Sequence, residues 1–552
     1  MPPTLGGAMT ISILFQFTDV SGERRVVARS SRITLTFLFQ LDYTNYWISD
    51  MLAPPLWSTI STAMSLGLTA RQVIPLTFFG FLICGYVVGL NGRTAAIYRV
   101  PYAVILRSSF GVWGCIPAII VRAFVAMMWT AITVVQGGGY LQNAITAIWP
   151  SYNRFPNHLP ESANVTSGAL LMIVIFWLVQ TAISLLPMYK LRYFFLFKAV
   201  IVPPTWAALF LWAVVVSKGG GPLVTGQAQP TLGMAYSCLT ALNVVIGLFS
   251  SLAVNFPDFG RFSKNEKSGR WQFLILPLVG TLGALAPIFV TSAYQQIWGE
   301  YQWFMPAVIA SFESRAAQFF CGISFMIATI GNQVAAGAYP FSIDVTALAP
   351  KYINVFRATL GMAVFCLISN PWTIISDAGA LLSFLSGYSC LMGPISGVMI
   401  TNFYLVHKKK LDIRELYNGS PQGLYYYYHG WNWRAWLALG CGFLPVFPGF
   451  INSIQPTIVI SEGAMHIYAF SWAYSITATM LVYYVLSVYA PDKRSFVEVA
   501  VYPAETKEEE ETLAQQSKWN HSAGADSSGN DVLDEKEEKL EVQETVVPVL
   551  EV

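Results

Sequence analysis

Asn45-Tyr46-Trp47-Ile48-Ser49-Asp50-Met51-Leu52-Ala53-Pro54-Pro55 places an acid, a hydroxyl and two prolines inside an otherwise apolar stretch running from about Tyr43 to Leu68. A helix that spans lipid must satisfy its backbone groups internally, because hydrocarbon offers no partners. Pro55 lacks an N–H and disfavours helical geometry at Pro54, so the helix is expected to break here. A broken span frees backbone carbonyls and amides near the bilayer midplane, where they hold an ion or a polar substrate; this points to a secondary transporter.

The rest of the chain agrees. Of 552 residues, 55% are hydrophobic and 11% charged, with mean hydropathy +0.51, whereas soluble domains carry about 25% charged residues. About twelve apolar stretches reach spanning length: 43–68, 73–90, 117–140, 168–188, 193–216, 235–256, 272–296, 316–340, 356–376, 380–406, 433–455 and 464–489. The chain therefore reads as an all-α polytopic membrane protein seated in the lipid bilayer. The net charge of +2 arises from basic residues distributed between spans, and no nucleic-acid partner is expected. The seven cysteines lie far apart without metal spacing, so free thiols and no metal are expected. No HExxH pair, Walker loop or nucleophile elbow is present, so neither enzymatic activity nor a cofactor is expected.

Loop charge sets an expected orientation. Connections after even-numbered spans carry Arg93, Arg99 and Arg107; Lys190 and Arg192; Arg261, Lys264, Lys267 and Arg270; Lys351 and Arg357; and Lys408, Lys409, Lys410 and Arg414. Those after odd-numbered spans carry few. Positive charge marks the cytoplasmic side, so both termini are expected inside. Asn164-Val165-Thr166 then falls in an outer loop as a glycosylation candidate at Asn164. The segment 1–42 reads as cytoplasmic, and 492–552 as a disordered acidic cytoplasmic tail. From Ala504 onward, fourteen acidic residues face four lysines, too little apolar surface to offset ordering entropy. Those lysines are candidate sites for ubiquitin-dependent turnover.

Three further segments stand out: Val100-Pro101-Tyr102-Ala103-Val104-Ile105-Leu106-Arg107-Ser108-Ser109-Phe110-Gly111; Arg122 with Trp129 seven residues later; and Leu252-Ala253-Val254-Asn255-Phe256-Pro257-Asp258-Phe259-Gly260-Arg261-Phe262. With Lys351-Tyr352-Ile353-Asn354, Asn370-Pro371-Trp372 and His429-Gly430-Trp431-Asn432-Trp433-Arg434, the chain from about Asp42 to Pro456 resembles the nucleobase–cation-symporter-1 family. It is most similar to the fungal uracil/allantoin/uridine permease branch. The resemblance implies a LeuT-like fold: inverted five-helix repeats over 43–216 and 235–406, then two added helices over 433–489. Spans one and six, first in their presumed repeats, both carry a proline and an aspartate, the pairing expected of a midplane site.

The resemblance also implies a substrate site. A Trp on span three and an aromatic on span six would sandwich a flat heterocycle, and these positions resemble Trp129 and Phe249. The family often places a Gln four residues after that Trp, where Thr133 stands here, and an Asn seven residues before Asp344, where Gly337 stands. Gln136 is read as facing elsewhere. Both amides that would read a uracil- or hydantoin-like edge are thus expected to be missing, and restoring them as T133Q with G337N is expected to recover such binding.

Sodium-coupled members use backbone oxygens of span one, near Asp50, with two hydroxyls on span eight. Those positions resemble Gly331 and Asn332. Loss of the hydroxyls favours a proton gradient over sodium, with Asp50, Asp258, Asp344 and Asn332 as coupling candidates. The expected function is proton-coupled uptake of a small planar nitrogen-containing solute across the plasma membrane. The alternatives are a carrier of a vitamin, nucleoside or secondary metabolite on the same scaffold, or a non-transporting sensor.

Overall fold

Helical geometry fails where the prolines predict it. In the computed structural model, which describes residues 40–502 apart from 187, 264, 265, 268 and 376, helix α1 (Gln40–Met51) stops short of α2 (Pro54–Met64). Ala53 between them is fully extended, with φ −148° and ψ 156°. Pro54 and Pro55 open α2, where the first N–H groups of a helix have no intrahelical partner, so their missing donors cost nothing there. The expected N-terminal segment as far as residue 39, and the tail from 503, lie outside the described residues.

The remaining spans follow in order: α3 (Ala70–Tyr98), the short buried α4 (Tyr102–Phe110), α5 (Cys115–Ile148), α6 (Ser167–Ser184) and α7 (Met188–Val216). Next come α8 (Met234–Asn255), α9 (Gln272–Trp298), α10 (Arg315–Leu348), α11 (Val355–Ile368) and α12 (Ala378–Val406). The last three are α13 (Trp433–Phe443), α14 (Phe447–Ile454) and α15 (Ser471–Tyr489). Each of the twelve expected stretches holds a helix or an interrupted pair. Among the described residues, nine helices are long and apolar enough to cross a membrane singly, and α13 with α14 makes a tenth crossing bent by 56°. The remaining two are the broken first span and the shorter α11. Side-chain caps set several starts. Thr166, Ser314, Asn354 and Asp377 accept from the backbone amides of Ala169, Ala317, Arg357 and Ala380.

Every residue of α2 is buried, so the broken span is the core of the bundle. Helices α6 and α7 present most of their apolar surface outward. Where α3 crosses α9, a Cβ at Gly280 would come within 2.4 Å of the Phe81 ring. The absence of a side chain lets that crossing close, as small residues do in membrane helix packing. Two expectations shift. Span six is not interrupted within the bundle: α8 runs unbroken to Asn255, and Pro257 only opens a one-turn helix beyond it. The tail boundary at 492 also moves. Val501 donates to the Leu411 carbonyl at 2.9 Å, Lys410 Nζ to the Glu498 carbonyl at 2.7 Å, and Tyr502 stacks on Tyr98 at 5.5 Å. Residues 492–502 are thus packed onto the loop that follows α12.

Candidate functional site

The break between α1 and α2 carries a buried carboxylate. Asp50 is 4% exposed, and its Oδ1 accepts from Asn332 Nδ2 of α10 at 2.6 Å. Its Oδ2 has no partner among the described residues. Lys198 of α7, 1% exposed, interacts electrostatically with Asp50. Its stem lies against Gly331, where an added Cβ would be 2.6 Å from Lys198 Cδ and 3.4 Å from Nζ. The fold thus gathers a carboxylate, an amide and an ammonium at the open backbone. Asp50 and Asn332 were legible as candidates. Lys198 was not, because a lysine in a lipid-facing helix reads as a snorkelling residue until its neighbours are known.

Asp344 and Asp258 belong to a second cluster, built around Arg122. Arg122 Nη1 donates to Asp344 Oδ2, with both side chains buried. Asp258 Oδ1 accepts from the Tyr102 amide at 2.9 Å, and both Arg122 and Arg261 act electrostatically on Asp258. Three of the sequence's conspicuous segments therefore meet Asp344 in one ionic knot joining α4, α5, α10 and the end of α8. Removing one partner from such a knot leaves an uncompensated buried charge, a loss of about 3–5 kcal/mol.

The aromatic candidates lie on different surfaces. Trp129 is half-buried, edge-on to Phe384 and Tyr388 of α12 at 5.8 and 6.4 Å, and its Nε1 donates to the Tyr388 hydroxyl at 3.2 Å. That hydroxyl in turn donates to the Gly247 carbonyl of α8 at 2.5 Å. Phe249 is buried and edge-on to Trp47 of α1 at 5.5 Å and Phe81 of α3 at 5.6 Å. The link from Trp129 to α8 therefore runs through Tyr388, which sequence reasoning missed.

The amide positions need correction. Thr133 Oγ1 is turned back onto the Thr130 carbonyl at 2.9 Å. Gln136 does not face elsewhere. Seven residues past Trp129 is nearly two full helical turns, which returns it to the same face, and its Nε2 donates to Ser58 Oγ of α2 at 2.7 Å. At Gly337 the Asn that was to be restored would have to displace the Gln333 side chain, because its Cβ would stand 2.1 Å from Gln333 Oε1 and 2.8 Å from Thr130 Oγ1. Gly337 lies within a π-helical segment, Gln333–Ala338. Asn164 is exposed at a left-handed turn with φ 54°.

A broken apolar helix around a buried carboxylate, enclosed by further spans, is the architecture of a membrane transporter. Over residues 39–474 the chain matches the family described as permeases for cytosine/purines, uracil, thiamine and allantoin, and it belongs to that family. It is 30% identical to an uncharacterized permease of Schizosaccharomyces pombe over 477 residues, 85% of this chain and 84% of that protein. The allantoin permease of Saccharomyces cerevisiae is 28% identical over 465 residues, 82% of this chain and 73% of its own. The uracil permease of the same yeast is 28% identical over 449 residues, 78% and 70% respectively. Among solved structures, Mhp1, a nucleobase-cation-symport-1 family transporter closed around bromovinylhydantoin, superposes with TM-score 0.67 at 18% identity, covering 84% of this chain and 96% of that one. The fold is accordingly LeuT-like, and the chain is a multi-pass membrane permease of the fungal branch.

Proposed function

We propose that this permease takes up a small planar nitrogen-containing solute, a nucleobase, allantoin or a related compound, across the plasma membrane in symport with a proton, with both termini cytoplasmic. The observation that carries the reading is the buried Asp50 at the broken helix, bonded to Asn332 and facing Lys198. A sodium ion needs several oxygen ligands. Here Gly331 offers no hydroxyl, Asn332 turns its N–H donors toward Asp50, and the lysine stem fills the adjoining space. The protein's own ammonium stands where a metal cation would be repelled. Protonation of Asp50 from the outside neutralises the carboxylate and releases its hold on Asn332 and Lys198, which frees the hinge at Leu52–Ala53. Loss of the same proton to the cytoplasm resets it.

Uptake in a transporter-deficient yeast is the test. Uptake of the solute is expected to rise as external pH falls and to collapse with a protonophore. D50N is expected to abolish accumulation while leaving exchange of internal for external solute. Accumulation driven by a sodium gradient at constant pH would overturn the coupling. The family's own range of substrates, which includes thiamine, together with the missing side chain at Gly337, supports the second reading of a vitamin, nucleoside or secondary-metabolite carrier.

A further inference from the structure

Resting on the transport reading, we infer that Tyr388 of α12 is a positioning residue of the solute site: its hydroxyl holds the Trp129 indole in the plane on which a flat solute stacks, and ties that plane to the approach of α8. An indole N–H can only donate, whereas a tyrosine hydroxyl donates once and also accepts. Trp129 Nε1 lies 3.2 Å from the Tyr388 oxygen, which lies 2.5 Å from the Gly247 carbonyl oxygen and 3.5 Å from that of Leu248. Both bonds therefore have a fixed direction: the hydroxyl proton goes to α8 and a lone pair faces the indole. Tyr388 is 6% exposed, so solvent does not compete for either bond. Phe384, one turn earlier on α12, closes the same corner, 5.8 Å from the Trp129 ring and 5.1 Å from that of Tyr388. Trp129 and Phe384 are themselves only half-buried.

The aromatic ring expected from span six takes no part in this arrangement, since Phe249 is turned onto Trp47 and Phe81. What α8 offers Trp129 is main chain instead. An added Cβ at Gly247 would stand 3.0 Å from the Leu385 carbonyl oxygen, so the two backbones meet closely there because residue 247 has no side chain. That approach brings the Gly247 carbonyl within reach of the Tyr388 hydroxyl, beside Ser250 Oγ, which donates to the same carbonyl at 2.9 Å. A tryptophan ring is otherwise free to change rotamer, and stacking depends on the plane it presents. A ring held before the solute arrives binds it at lower ordering cost. Separation of α8 from α12 breaks the bond to Gly247 and frees Tyr388, and the indole with it. Solute affinity is thereby linked to the closure of these two helices.

Uptake of radiolabelled uracil, cytosine, allantoin, uridine and thiamine by the full chain, with surface amount measured alongside, tests this. For whichever solute is carried, Y388F is expected to raise KM about 3- to 10-fold, the range that one hydrogen bond supplies, with the maximal rate per transporter unchanged. W129F removes the same bond from the other side, so Y388F is expected to add nothing in the W129F background. If Y388F does not reach the surface, G247A carries the same expectation, because its Cβ pushes the carbonyl away from the hydroxyl; it too should add nothing beside W129F. An unmoved KM, or a rise in KM of the same size with and without W129F, reduces Tyr388 to packing and overturns the positioning role alone. A wild-type chain that carries none of the five solutes overturns the transport reading and the positioning role with it.

Discussion

In the first span the chain leaves helical geometry at Leu52–Ala53, in the middle of the bundle, and the adjacent Asp50 keeps one oxygen without a partner among the described residues. At the sixth, α8 stays helical to Asn255, and Asp258 sits in the turn beyond it; its Oδ2 likewise has no hydrogen-bond partner among the described residues, but its Oδ1 accepts from the Tyr102 amide and the Arg122 and Arg261 charges lie close by. Both spans combine proline with aspartate in apolar sequence. The difference lies in where the proline falls relative to the bundle and in which cations surround the acid. A single neutral amide and one lysine surround Asp50, the setting on which the proposed proton coupling rests, whereas the knot around Asp258 and Asp344 ties four elements together.

The sharpest way to break this contrast is to remove Arg122. R122A strands Asp344 beside Asp258, and a loss of about 3–5 kcal/mol is expected. In a fluorescence-detected stability assay this should appear as little or no folded protein at the surface, with partial recovery in an R122M/D344L double replacement. Normal surface amounts of R122A would mean that the knot is not structural. By contrast D50N, which keeps an acceptor for Asn332, is expected to reach the surface normally and fail only in accumulation.

Phe249 and Trp129 sharpen the comparison from the aromatic side. F249A opens a cavity against Trp47 and Phe81, and a stability loss of about 3–5 kcal/mol is expected for a fully packed ring. W129A, half-buried, should lose solute affinity with normal surface amount, by about 1–3 kcal/mol if the ring stacks as aromatics do on bases. A W129A variant with unchanged uptake kinetics would reduce Trp129 to packing against α12.

The smallest effects are at the two ends of the membrane. Burial under Phe496, 5.4 Å away, pushes His407 from the ordinary 6.5 down to about 4. A histidine that must stay neutral to be buried contributes docking stability that is intact above about 6.5 and drains away as pH falls toward about 4. Limited proteolysis within 492–502 should therefore accelerate across that window, and F496A should flatten the dependence. On the opposite face, N164Q should remove an endoglycosidase-sensitive mobility shift. A terminal tag should be reachable only after permeabilisation; its detection on intact cells would invert the orientation.

Much of this was legible in one dimension. The spans follow from apolar runs of sufficient length, and the break follows from Pro54–Pro55, because backbone satisfaction in lipid is a local requirement. Asp50 could be picked out because an acid is costly inside an apolar run, whereas Asn332 and Trp129 came from the resemblance to the family's span-eight and span-three positions. What failed was register. Reading Gln136 as turned away was an angular error that the helix itself corrects, since seven residues restore the face that carries Trp129. The contact of Gln333 with Thr130 was also hidden, because it joins residues 203 positions apart.

By itself the sequence determined a many-spanning α-helical protein, broken at its first span, with three acids and an arginine in or at the ends of its apolar spans. Only the tertiary structure decided the pairing: that Arg122 holds Asp344, that Lys198 rather than a hydroxyl pair faces Asp50, and that Gln333 covers Gly337. Helix formation is settled within a few residues of chain by propensity and backbone hydrogen bonding. The partner of a buried charge comes from residues such as 122 and 344 or 50 and 198, whose separation in sequence bears no relation to their meeting in space.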